Sequence, residues 1–202
     1  MLLGKPIDSI TENDLQALID NKVPETKTIE YKESLPKNSD SDKKEFLADG
    51  SSFANASGGH LIFGIRESSG LPSELCGMEI TNADAEIRRL ENIIRDGLEP
   101  RISGLQTRAI PLQNGRTAIM IWIPKSWALP HRVTFQTRPD FYSRNSAGKY
   151  PLDVAELRTL FSLSESTAER MRKFRTERLS KLVAGEAPAA LQETPKTVLH
   201  MI

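Results

Sequence analysis

The stretch from Thr117 to Ile123 is apolar on both of its faces, with Ile119, Ile121 and Ile123 alternating against Met120 and Trp122. Side chains of a strand point to opposite faces in turn, so a strand without a polar side belongs inside a sheet that is covered above and below. Gln113-Asn-Gly115 just before it is a hairpin signal that pairs it with Leu105 to Pro111. The expected fold class is therefore α/β (α+β), a mixed β-sheet packed with helices.

The covering helices are also readable. Thr11-Glu-Asn-Asp14 caps a short helix carrying Leu15, Leu18 and Ile19, which Pro24 ends. Asp42 to Ala56 places Phe46, Leu47, Phe53 and Ala54 on one side and is broken by Gly58-Gly59, after which Leu61 to Ile65 reads as a buried strand. Asn82 to Leu98 repeats the helical pattern with Ile87, Leu90, Ile93 and Ile94. Val133 to Gln136 and Phe141 to Ser143 are short strand candidates, and Leu152 or Asp153 starts a helix through Phe161. The reading is a domain over residues 5–162. Residues 163–202 follow as a basic amphipathic helix (Glu165 to Val183), a linker (Ala184 to Pro195) and a β-prone end. That apolar end either completes the sheet or marks a piece of a longer chain.

Lys and Arg together number 27, as do Asp and Glu, so any face for a polyanion must be local. Cys76 is the single cysteine, which excludes an internal disulfide framework or a Cys-rich zinc site and makes a cytoplasmic setting the simpler expectation. No run has the length and apolarity of a membrane span.

Thr28 to Lys32 alternates so that Glu30 and Lys32 share one face, away from Ile29 and Tyr31. Glu25 stands at the entry to this strand, and Glu67 follows the strand that the glycine pair opens. Three carboxylates repel one another, and a divalent ion relieves that repulsion while holding phosphate oxygens. Mg²⁺ or Mn²⁺ suits an all-oxygen set; His60, His131 and His200 lack the spacing of zinc ligands. The ordinary alternative is that Glu25, Glu30 and Glu67 are solvent-facing acids at strand ends. Lys125, Arg132, Arg138, Arg144 and Lys149 form a basic stretch suited to phosphates, or else a solvated face. Trp127 either stacks on a base or closes an apolar edge. There is no Gly-x-x-x-x-Gly-Lys-Ser/Thr signature of a P-loop, although Asn55 and the amides of Gly58 and Gly59 could touch a phosphate.

Four fragments carry a family likeness: Glu25…Glu30-Tyr31-Lys32, Phe53-Ala-Asn55-Ala-Ser-Gly-Gly59-His-Leu-Ile-Phe-Gly64-Ile65, Ile121-Trp-Ile-Pro124-Lys-Ser126…Pro130 and Phe141-Tyr142-Ser-Arg144…Leu157. In this order they resemble the Schlafen AlbA_2 domain, a module also described as a divergent AAA-4 or DNA-binding domain. In Schlafen-type nucleases the resemblance implies a metal-dependent endoribonuclease acting on transfer RNA or other structured RNA. Its two glutamates fall on Glu25 and Glu30; Lys32, on the same strand face as Glu30, would orient or neutralise the reacting phosphate. The third acid, an aspartate in the family, falls on Glu67, one methylene longer and next to Arg66. The other reading is a non-catalytic DNA- or RNA-binding regulator or an ATP-binding-type interaction module. The Schlafen core has two related lobes, so a single copy of the landmarks implies a homodimer.

Overall fold

The computed structural model describes residues 4–135 and 140–186 of the chain, in two compact units, Met1–Ser164 and Glu165–Ile202. Arg138 and the expected strand Thr197 to Ile202 lie outside the described residues, as do most positions of the expected linker.

The first unit is built on a four-stranded sheet: β1 (Ile29–Lys32), β2 (Gly58–Phe63), β7 (Thr117–Pro124) and β6 (Gln106–Pro111), in the order β1-β2-β7-β6. β1 and β2 are parallel, and parallel neighbours need a long crossover. Here it is α2 (Asp40–Asn55). β7 is antiparallel to both β2 and β6 and is central, as its two apolar faces require. Leu61, Phe63, Ile119, Ile121 and Ile123 pack with Phe46, Leu47 and Phe53 of α2 and with Leu90 and Ile94 of α3 (Ala83–Gly97). On the opposite face Ile62, Met120 and Ile110 meet Leu15 and Leu18 of α1 (Glu12–Asp20). Thr11 caps α1 through a reciprocal box with Asp14.

The chain departs from the sequence reading at Gly64. The expected strand through Ile65 stops there because Gly64 adopts φ +93° and an added Cβ would lie 3.1 Å from the Cα of Gly77. Ile65 then opens a separate hairpin, β3 (Ile65–Ser68) and β4 (Leu71–Leu75). It turns through Ser69 and Gly70, both at positive φ. Pro72 sits in β4 opposite Glu67, beside a register shift.

A second sheet has the order β10-β9-β8-β5, from β5 (Leu98–Glu99), β8 (Arg132–Val133), β9 (Asp140–Asn145) and β10 (Gly148–Pro151). Asp153 and Glu156 then hydrogen-bond reciprocally, each carboxylate accepting from the other's amide, and α4 (Val154–Val183) begins. Where two helices were expected, 152–161 and 165–183, one continuous helix runs. In the second unit, residues 165–183 of α4 carry Arg170, Arg172, Lys173 and Arg175 in exposed positions, and the Arg178 guanidinium lies 5.3 Å from the Phe174 ring centroid.

Candidate functional site

Glu25, just ahead of β1, is fixed by backbone contacts. Its N–H donates to the Gly70 carbonyl (2.7 Å), and its Oε1 accepts from the Tyr31 amide (2.9 Å). Gly70 in turn donates its N–H to Oε2 of Glu67 (2.7 Å), and a Cβ on Gly70 would lie 3.9 Å from Oε2 of Glu25. The hairpin turn thus brings Glu25 and Glu67 to one corner. Burial, reinforced by the like charges of Glu30 and Glu67 against the opposing Tyr31 hydrogen bond, holds the Glu25 carboxyl above its ordinary range.

Glu30 points to the other face of β1, toward α2, with Lys32. Its Oε1 lies 2.9 Å from the Lys32 ammonium, and its Oε2 accepts from the Arg144 guanidinium. Burial pulls its carboxyl upward, but Lys32 and Arg144 outweigh that and keep it below the ordinary range. The network continues into a residue the sequence reading missed. Asp49 of α2, 1% exposed at its side chain, lies 3.5 Å from Lys32 and 2.6 Å from Lys149, and Lys149 also pairs with Glu45. Burial and the nearby Glu30 hold Asp49 above its ordinary value despite these cations. Lys32 is raised further, because Asp49 and Glu30 outweigh its own burial. A cavity of about 410 Å³ opens beside this network, lined by Lys32, Lys37, Asp42, Glu45 and Asp49. Three acids and three bases (Glu30, Glu45, Asp49; Lys32, Arg144, Lys149) therefore neutralise one another at the junction of β1, α2 and the β9–β10 hairpin.

This arrangement bears directly on a divalent ion. Carboxylate oxygens suit Mg²⁺ or Mn²⁺ in kind, but Glu30 already gives both oxygens to cations. Among the described residues no three His, Cys, Asp or Glu side chains converge as a metal cluster. As arranged, Glu25, Glu30 and Glu67 do not fit a shared ion.

Asn55, Gly58 and Gly59, read as phosphate contacts, each have a part in holding the fold. The Asn55 amide donates to the carbonyls of His131 and Tyr142 (2.8 Å each), and its oxygen accepts from the His131 N–H (2.7 Å). This locks the end of α2 to the second sheet. A Cβ on Gly58 would lie 2.5 Å from the Lys125 nitrogen, and one on Gly59 would lie 2.5 Å from the Phe53 ring and 2.6 Å from the Thr28 carbonyl oxygen. Both glycines are required by packing at the start of β2.

The expected basic stretch does not form a single face either. Arg144 is 1% exposed at its side chain, its guanidinium stacks 3.8 Å from the Phe53 ring centroid, and its Nε and Nη1 have no hydrogen-bond partner among the described residues. Lys149 is spent on Asp49 and Glu45. Arg132 pairs at the surface with Glu99 (2.6 Å). Lys125 stays exposed, with its ammonium 5.6 Å from the centroid of the Trp127 ring. Nothing in the sequence marked Arg144 as buried. Asp49 had one faint signal, its place four residues after Glu45 on the helix that crosses over β1.

Fold and site together define a mixed α/β domain in which a compact acid–base network, rather than a glycine-rich phosphate loop, joins the sheet edge to its crossover helix. The chain belongs to the Schlafen AlbA_2 family, whose profile (Schlafen, AlbA_2) matches residues 25–153. Among solved structures it is similar to a protein from Corynebacterium diphtheriae (18% identity, TM-score 0.48, covering 71% of this chain and 26% of that one). It is also similar to the N-terminal domain of a protein from Nitrosomonas europaea described as related to the ATP-dependent DNA helicase RecG (21% identity, TM-score 0.47, 64% and 86%). The chain thus spans about a quarter of the length of the Corynebacterium protein. No curated protein matches it. Among the described residues no helix is long and apolar enough to cross a membrane.

Proposed function

We propose that this domain binds nucleic acid without cutting it. Membership of the Schlafen AlbA_2 family supplies the class of partner. The observation that carries the non-catalytic half is the state of Glu30, whose two oxygens are taken by Lys32 and Arg144. To serve an ion, Glu30 would have to give up cations, one of them a buried guanidinium, and stripping the partner from a buried charge costs about 3–5 kcal/mol. Lys125 remains exposed for phosphates.

A second reading keeps the endoribonuclease: cleavage of transfer RNA or other structured RNA with Mg²⁺ or Mn²⁺ at Glu25, Glu30 and Glu67. Burial raises the Glu25 carboxyl and the like charges of Glu30 and Glu67 add to it; that added repulsion favours this reading, since a bound cation would relieve it. A homodimer would suit either reading.

One assay separates them. Labelled transfer RNA, an unpaired RNA and duplex DNA are titrated with protein in EDTA or in Mg²⁺ or Mn²⁺, with binding read by fluorescence anisotropy and integrity on a gel. The expected result is binding that weakens steeply between about 50 and 200 mM salt, is indifferent to EDTA and leaves the strands intact. A folded protein that binds none of them at low salt overturns the proposal. EDTA-sensitive cleavage abolished by Glu25→Gln establishes the second reading.

A further inference from the structure

Trp127 is the largest side chain displayed by the first unit that the acid–base network does not use. It is 62% exposed, yet its backbone is held on both sides. The Ser126 N–H donates to the Ala54 carbonyl (3.1 Å), the Ala128 N–H donates to the Ser126 hydroxyl (3.0 Å), and the Ser164 hydroxyl donates to the Trp127 carbonyl (3.3 Å). The loop is thereby anchored to the end of α2 and to α4 within one unit. The other tryptophan, Trp122, is partly buried and packs against the core beneath the sheet.

The backbone that presents the indole is thus ordered by the fold, which lowers the cost of offering the ring as a stacking surface. A cation stands beside it: the Lys125 ammonium lies 5.6 Å from the ring centroid, and the stretch from Pro124 to Phe135 contains no acidic residue, although Arg132 within it pairs with Glu99. A flat apolar group joined to an anion matches this pair, and a nucleotide is such a group. A base within a duplex has both faces covered by its neighbours, whereas an unpaired base offers one.

Resting on the reading that the domain binds nucleic acid, we infer that Trp127 and Lys125 form the site for an unpaired nucleotide, the indole stacking on the base and the ammonium meeting its phosphate. The site therefore selects single-stranded segments, loops or ends over continuous duplex. Stacking on an aromatic platform tolerates any base, so the site discriminates strandedness rather than sequence.

The chain has two tryptophans, so Trp122→Phe leaves Trp127 as the reporter. Should that variant misfold, the difference between wild type and Trp127→Leu reads the same signal. The probe is an unpaired RNA oligonucleotide, with the same sequence annealed in a duplex as control. The expected results are quenching of Trp127 by the single strand and not by the duplex, about ten-fold or greater weakening of single-strand binding in Trp127→Leu, and retention of most of it in Trp127→Phe. Lys125→Ala should lower the salt slope by about one phosphate contact. Anisotropy showing tight single-strand binding with no quenching and no effect of Trp127→Leu overturns the inference and leaves the proposed function standing. Absence of all nucleic-acid binding overturns both. Self-association abolished by Trp127→Leu, with nucleic-acid binding unchanged, assigns the surface to protein and also overturns it.

Discussion

Arg144→Ala tests whether the acid–base network is a buried structural element. The Arg144 side chain is 1% exposed and that of Glu30 14%, and the guanidinium also covers Phe53. Removing one partner of a buried pair costs about 3–5 kcal/mol. Glu30 keeps Lys32 at 2.9 Å, which moves the expected loss to the lower end, about 3 kcal/mol. With a urea m-value of about 2 kcal/mol/M, the unfolding midpoint should fall by about 1.5 M. Replacing both partners, in Glu30→Leu/Arg144→Met, removes the desolvation of two charges together and should recover most of the loss, because such double replacements are often neutral or stabilising. The assay is equilibrium urea unfolding of wild type, both single variants and the double variant. A midpoint shift below about 0.5 M for Arg144→Ala, or a double variant as unstable as the sum of the singles, refutes the reasoning.

Three further outcomes follow from the same geometry. Gly59→Ala should sharply lower thermal stability, since its Cβ would meet the Phe53 ring and the Thr28 carbonyl at about 2.5 Å, and overpacking costs about 1–3 kcal/mol; an unchanged melting temperature contradicts this. Burial pulls His60 down to about 4 from 6.5, so between those values the unfolded chain binds more protons and stability must fall as pH drops from about 6.5 toward 4; in a His60→Gln variant unfolding scans should show a shallower fall over that window. Because the Glu25 carboxyl is raised, its ionised form opposes folding at neutral pH; Glu25→Gln should be at least as stable as wild type at pH 7 by urea unfolding, and a clear loss would show that the Tyr31 hydrogen bond to its carboxylate dominates.

What could be read from the sequence was whatever repeats with a regular period. The two-faced β7, the helical stripe of α2 and the alternation of Glu30 and Lys32 against Tyr31 all express side-chain direction, and each stands within a few residues of its expected bounds. The β3–β4 hairpin, β5 and β10 are short and largely polar, so no period marks them, and the left-handed backbone at Gly64 that separates β2 from β3 looks like any glycine. The corner joining Glu25 to Glu67 was anticipated as a cluster but depends on the carbonyl and amide of Gly70, which no side-chain pattern reports. Arg144 and Lys149 were read as surface cations because nothing local shows that β9 and β10 face α2, where Asp49 and Glu45 wait. Charge pairing across about a hundred residues of sequence is visible only once the second sheet has closed over the helix.

Binding without metal-dependent cleavage can be read in one comparison: wild type against Glu25→Gln/Glu67→Gln in anisotropy titrations of unpaired RNA, in EDTA and in Mn²⁺, with each mixture then run on a gel. Equal affinities are expected in all four conditions, with intact RNA throughout. Cleavage by wild type in Mn²⁺ that disappears in EDTA and in the double variant would contradict this reading.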